Sequence, residues 1–125
     1  MINIVYEDNH LLVVEKPVNI IVQKDNTNDK DLLSMLKEYL KEKYNKPGNV
    51  YLGLIHRLDR PVGGIMVFAK TSKAAGRLSE QVRNKTFKKT YNAVVIGNIN
   101  ESGKLHDYLL KDEKRNIVKV YKNGK

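Results

Sequence analysis

The stretch His56-Arg57-Leu58-Asp59-Arg60-Pro61-Val62-Gly63-Gly64 gathers the densest reactive chemistry in this 125-residue chain. An aspartate between two arginines is expected to stay ionised, because nearby cations stabilise the carboxylate. Adjacent glycines let the backbone or base of a substrate come close. Such a carboxylate can act as a nucleophile or as a base. The same residues also suit a solvent-exposed turn closed by an Arg–Asp ion pair, which contributes little. Taken alone, the segment leaves both readings open.

Other constellations fail on spacing. A protein-kinase catalytic loop places Asp directly after His-Arg, whereas Leu58 intervenes here, and neither Asp-Phe-Gly nor a glycine-rich phosphate loop is present. Residues 97–104 resemble a phosphate-binding P-loop. Five residues separate its glycines instead of four, however, and Leu105 stands where Ser or Thr would bind magnesium. His10 and His106 lack partners at ligand spacing, and the chain has no cysteine. No thiolate or disulfide chemistry is expected, and metal-free chemistry is the default.

The elements that position the segment follow from periodicity. Ile2, Ile4 and Tyr6 alternate, and after the turn signal Glu7-Asp8-Asn9 a second apolar run, residues 11–14, ends at Lys16-Pro17. This predicts two short strands. Asn28 and Asp29 are N-cap candidates for an amphipathic helix over about 29–45, in which Leu32, Leu33, Leu36, Tyr39, Leu40 and Tyr44 recur at helical spacing. Strands are expected at 52–55 and 65–69, flanking the charged segment. A second helix, capped by Thr71 or Ser72, should reach Asn84 with Ala75, Leu78 and Val82 inward. Further strands are expected at 91–96, 105–110 and 117–121. The pattern implies one α+β domain over 1–125, a mainly antiparallel mixed sheet with flanking helices. The last residues, 118–125, read as a strand entering a turn that expects a partner strand.

Composition narrows the function classes. With 41% hydrophobic and 30% charged residues, the chain is an ordinary globular protein. Its longest apolar runs are far short of the roughly 20 residues a bilayer span needs, and no signal-peptide pattern opens it, so a cytoplasmic protein without membrane contact is expected. The net charge is +9, and it is unevenly placed: residues 1–62 balance, while residues 63–125 carry fourteen Lys/Arg against five Asp/Glu. A basic half of this kind suits a polyanionic partner, most simply nucleic acid, and also suits a lysine-rich solvated face.

Three segments together carry a resemblance. Asp8 with Leu11-Leu12-Val13-Val14-Glu15-Lys16-Pro17 is similar to the first motif of RluA-type pseudouridine synthases. His56-Arg57-Leu58-Asp59-Arg60, followed by Gly64 and Ala69-Lys70, is similar to their second. Lys89-Thr90-Tyr91 with Ala93, Val95 and Gly97 resembles their third. Three motifs in the family's order, covering nearly the whole chain, are more specific than any one.

The resemblance implies a pseudouridine synthase catalytic fold and an RNA isomerase acting on uridines of rRNA or tRNA without a cofactor. Asp59 matches the family's catalytic aspartate. The reaction detaches uracil from C1′, turns it and rejoins it through C5. A carboxylate could add to the base or sugar, or take a sugar proton to form a glycal. Arg57 matches the arginine that fills the space left by the flipped uridine, where unstacking costs a few kcal/mol. Its planar guanidinium can stack, which an ammonium cannot. Tyr91 matches the tyrosine that stacks on the flipped base, a contact worth roughly 1–3 kcal/mol in single-strand recognition. Arg60, Arg83, Lys85, Lys88 and Lys89 are the expected phosphate contacts.

Two departures limit this. The family usually has Thr-Ser-Gly after Asp-Arg, whereas Pro61-Val62-Gly63-Gly64 stands here, so hydroxyl contacts are absent and Pro61 stiffens the loop instead. The family's later Gly-Arg-x-His-Gln-Ile-Arg segment, whose basic residue pairs with the catalytic aspartate, has no counterpart. The expectation is therefore an incomplete catalytic domain, apparently truncated at its C-terminus and with no S4-like N-terminal domain, that has little activity alone. The competing expectation is a non-catalytic RNA-binding module that keeps the fold.

Overall fold

The computed structural model describes residues 1–99 and 101–124. Asn100, inside the P-loop-like stretch 97–104, and Lys125 lie outside the described residues. The chain divides into two compact units, Met1–Thr90 and Tyr91–Lys125, and each is described by itself.

The first unit is built on a four-stranded antiparallel sheet, β1 (Asn3–Glu7), β2 (Leu11–Lys16), β3 (Gly53–Leu54) and β4 (Gly64–Ala69), in the order β1-β2-β4-β3. The β1–β2 connection is a tight turn: the Asp8 carboxylate accepts the backbone N–H groups of His10 and Leu11, both at 2.7 Å. The β2–β4 ladder runs without interruption from Leu11 opposite Ala69 to Lys16 opposite Gly64.

Because side chains alternate along a strand, Leu12 and Val14 of β2 share one face with Phe68 and Met66 directly opposite. All four are fully buried, as is the stripe Leu32, Leu36 and Leu40 of helix α1 (Leu32–Lys43), spaced one helical turn apart. Together they form the core. Each such side chain contributes about 1.5–3 kcal/mol on burial, and Phe68→Ala would cost about 3–5 kcal/mol.

Helix α1 starts later than its sequence signals suggest. Its N-cap is Asp31, whose carboxylate accepts the Ser34 N–H at 3.1 Å, and not Asn28 or Asp29. A parallel bridge between Ile21 and Asp31 keeps residue 31 extended, and Leu32 N–H donates to the Ile21 carbonyl at 2.9 Å. The helix therefore cannot begin before that tie.

Helix α2 (Ser72–Arg83) is capped by Thr71, which accepts the Ala74 N–H at 3.1 Å. Its expected inner face, Ala75, Leu78 and Val82, is only half-buried. After the helix, Lys85 adopts a left-handed backbone (φ 58°), and Thr86 and Phe87 donate N–H groups to the Gln81 carbonyl. This turn folds Phe87 back toward the sheet.

At one end of the β2–β4 ladder a polar knot joins three elements. The Glu7 carboxylate accepts from Lys43 at 2.8 Å, Lys70 at 2.9 Å, Tyr39 at 2.9 Å, and Tyr44. Burial alone would raise the carboxyl's pKa, but the hydrogen bonds from Lys43, Tyr44, Lys70 and Tyr39 prevail and bring it down to about 2.

The second unit holds an antiparallel hairpin, β5 (Tyr108–Asp112) and β6 (Ile117–Tyr121). Asp112 accepts the N–H groups of Lys114 and Arg115 in its turn, and Asn116 supplies the positive φ. The strand expected at 91–96 is not formed: this stretch is irregular and exposed. Alternation makes a strand only where a partner is available, and no strand pairs with it among the described residues. Among the described residues, no helix is long and apolar enough to cross a membrane.

Candidate active site

At the other end of the β2–β4 ladder, opposite the Glu7 knot, the chain leaves β3 and returns into β4 through the loop that carries residues 56–63. Leu58 is buried in the core and anchors the loop, while its neighbours Arg57, Asp59 and Arg60 are exposed. The apolar anchor turns the flanking charges outward. A turn centred on Arg60 and Pro61 follows, closed by the Val62 N–H donating to the Asp59 carbonyl at 3.0 Å.

Beneath this turn lies Lys16, on the same face of β2 as Leu12 and Val14 and almost inaccessible to solvent. Its ammonium donates to the carbonyls of Val62 at 2.8 Å, Pro17 at 3.0 Å and Arg60 at 3.1 Å. Asn19, in a left-handed conformation, donates its N–H to the same Arg60 carbonyl at 2.7 Å. Burial pushes the Lys16 pKa down, as does Arg60, while Asp59 opposes them. Three carbonyl dipoles stand in for the counter-ion that a buried lysine normally requires.

The two glycines fit this arrangement for different reasons. At Gly63 a Cβ would stand 3.1 Å from Val18 and 3.3 Å from the Lys16 carbonyl oxygen, so a side chain there would force the strap 16–18 to give by a few tenths of an ångström. Gly64 has φ +153°, a backbone conformation that L-residues rarely adopt.

The Arg–Asp ion pair that the sequence allowed within the segment does not form. Arg60 reaches Asp29 at 2.8 Å and Arg57 reaches the side-chain oxygen of Gln23. Among the described residues Asp59 takes part in no ion pair, so its carboxylate faces outward from an anchored turn. A concave groove of about 690 Å³, lined in part by Asp29, Lys30, Lys37 and Lys41, adjoins the loop through Asp29 and does not include Asp59. The loop, with its exposed carboxylate and flanking guanidinium groups, outweighs the groove chemically, because the groove's rim mixes both signs of charge.

Of the expected phosphate contacts, Arg83 ends α2, Lys85 occupies the left-handed turn, and Lys88 and Lys89 follow Phe87; all four are exposed. The structure brings this basic segment beside the loop through His56, whose ring lies 5.3 Å from that of Phe87. Tyr91 opens the second unit and is exposed. Lys16 and His56 are the residues whose parts in the site the motif reading did not supply. Lys16 stands in the sequence as the last residue before Pro17 in the first motif, and nothing local marks the carbonyls it binds 44 and 46 residues away.

Comparison with known proteins supplies the chemical context. The model of the RNA pseudouridylate synthase family matches residues 10–125. Ribosomal large subunit pseudouridine synthase D of Yersinia pestis is 36% identical over 99% of this chain and 38% of its own length. The tRNA pseudouridine synthase C of Vibrio cholerae is 35% identical over 90% of the chain and 44% of its own. The chain thus spans less than half the length of these curated relatives. A solved structure of human RNA pseudouridylate synthase domain containing 4 superposes with a TM-score of 0.57 and 26% identity, covering 67% of this chain and 30% of that one. An exposed aspartate on an anchored loop, and a family match across nearly all of the sequence, agree: this chain belongs to the RNA pseudouridylate synthase family.

Proposed function

We propose that the protein isomerises uridines of ribosomal or transfer RNA to pseudouridine in the cytoplasm, with Asp59 as the catalytic carboxylate. The observation that carries this reading is the placement of Asp59: an exposed side chain on a turn whose main chain is fixed from below by Lys16 and Asn19. Fixed geometry at a reacting group is the condition under which proximity lowers a barrier.

In this reading Asp59 engages a uridine turned out of its stack, the C1′–N1 bond breaks, C1′ bonds to C5, and the proton lost from C5 is balanced by one gained at N1, so the product is an isomer. Arg57 needs only to leave Gln23 to enter the space the base vacates, since its single hydrogen bond there is exposed. Tyr91 stacks on the flipped base, and Arg60, Arg83, Lys85, Lys88 and Lys89 meet phosphates. Both units then belong to one catalytic domain of the pseudouridine synthase fold. The basic partner of Asp59 comes from the part of that domain that this chain, spanning 38% of a relative's length, does not include.

The test is an assay of uridine isomerisation by the full-length protein on ribosomal and transfer RNA. Asp59→Asn is expected to lower kcat by more than about 10³-fold while RNA binding persists. Activity retained in that variant would remove Asp59 from the chemistry. Tight RNA binding without isomerisation by the parent would favour a binding module.

A further inference from the structure

His56 is held unusually for a histidine beside a reactive loop. Its Nε2 accepts the Val67 N–H of β4 at 3.2 Å, and its ring lies tilted by 50° against Phe87. A ring nitrogen that accepts carries no hydrogen, so the hydrogen of the neutral ring sits on Nδ1. That Nδ1 is buried and has no hydrogen-bond partner. A buried N–H without a partner is unfavourable. What the ring gains are two contacts on different elements, one on β4 and one on the segment that follows α2.

We propose that His56 is a positioning residue: as its Nδ1–H tautomer it fixes the Asp59 loop to β4 through Val67 and to the Phe87–Lys89 segment through Phe87, so that the carboxylate and the basic segment engage one RNA strand as a unit. The inference rests on the function proposed above and names how that site is kept in register. Asp59 lies three residues from His56, and Lys88 and Lys89 directly follow Phe87. A small rotation of the ring would therefore move both groups.

Two variants separate the contacts. His56→Phe keeps a ring against Phe87 and loses the acceptor for Val67; His56→Gln keeps an acceptor and loses the ring. In the full-length protein, His56→Phe is expected to lower kcat at least tenfold with KM changed less than threefold, because only the loop loosens. His56→Gln is expected to raise KM at least fivefold, and its effect should not multiply with that of Phe87→Leu, since both remove one contact. Variants that fold and keep kcat and KM within twofold of the parent would overturn the proposal, as would fully multiplicative effects.

Should the variants not fold, ¹⁵N-histidine spectra of the unaltered chain decide. A single Nδ1–H tautomer at neutral pH, with ring resonances that shift when a uridine-containing RNA oligonucleotide is added, supports the role. An Nε2–H tautomer, or resonances unmoved by RNA, ends it. Absence of isomerisation by the parent counts against the proposed function alone, and the spectra still judge His56.

Discussion

Removing an ammonium group from water costs several kcal/mol, and Lys16 meets that cost with three carbonyl oxygens and no carboxylate. Lys16→Met keeps most of the buried stem and deletes the charge, leaving the Val62 and Arg60 carbonyls without this donor. The expected loss is about 1–3 kcal/mol of unfolding free energy, measured by urea titration, with a fall in kcat larger than the fraction unfolded accounts for. A variant as stable and as active as the parent would show that the turn holds itself. At this scale the sequence was informative about which residue types stood together and uninformative about where they pointed. Arg57 and Arg60 flank Asp59 in the chain yet bond to Gln23 and Asp29, because the buried Leu58 splays its neighbours outward. His56 offers a pH signature as well. Burial first, and Lys89 second, lower its pKa. The folded state then takes up its proton less readily than the unfolded chain, so this residue's contribution is intact above pH about 6.5 and declines as the pH falls below it.

The elements are tied at the far end of the ladder by Glu7, which joins β1, the end of α1 and the residue after β4. A carboxyl with a folded pKa of about 2 against 4.5 for the free group adds stability that is complete above pH 4.5 and is lost as the pH drops toward 2. The contribution at neutral pH is on the order of 3 kcal/mol. Glu7→Gln is therefore expected to destabilise the fold by about 2–3 kcal/mol at pH 7, and the gap between variant and parent should close as the pH approaches 2. Denaturant unfolding across that range measures it, and a gap independent of pH would assign the effect to packing. Most elements were legible from periodicity, since β2, β4 and α1 each bury one face. The start of α1 was not, because three acidic or amide residues compete as caps and a long-range bridge to Ile21 selects Asp31. The stretch 91–96 shows the converse failure: alternation records a capacity to pair, and pairing needs a partner.

Across the whole molecule, charge is sorted by position in the chain. The first 62 residues are neutral, and all of the excess of +9 follows them. Each phosphate contact adds about 0.7 to the slope of log K against log salt for single-stranded RNA. Replacing Arg83, Lys85, Lys88 and Lys89 together by Gln is expected to reduce that slope by up to about 3. Filter binding at several salt concentrations tests this, and an unchanged slope would exclude these residues from the phosphate interface. Charge distribution is a property that sequence displays directly. The grouping of the chain into two units is not, because it depends on which apolar faces find partners. Every apolar residue of the β5–β6 hairpin remains exposed, whereas the same residue types in β2 and β4 make the core.

Lys16 grips main-chain oxygens only, and this gives the reactive turn a mutational freedom of its own. An anchor that recognises carbonyls is indifferent to the side chains above it, provided that Gly63 leaves room for the strap and Gly64 keeps its backbone conformation. The side chains of Pro61 and Val62 can therefore be exchanged without the turn losing its hold. Drift at those two positions then changes the surface beside Asp59 while leaving untouched the contacts that hold its turn.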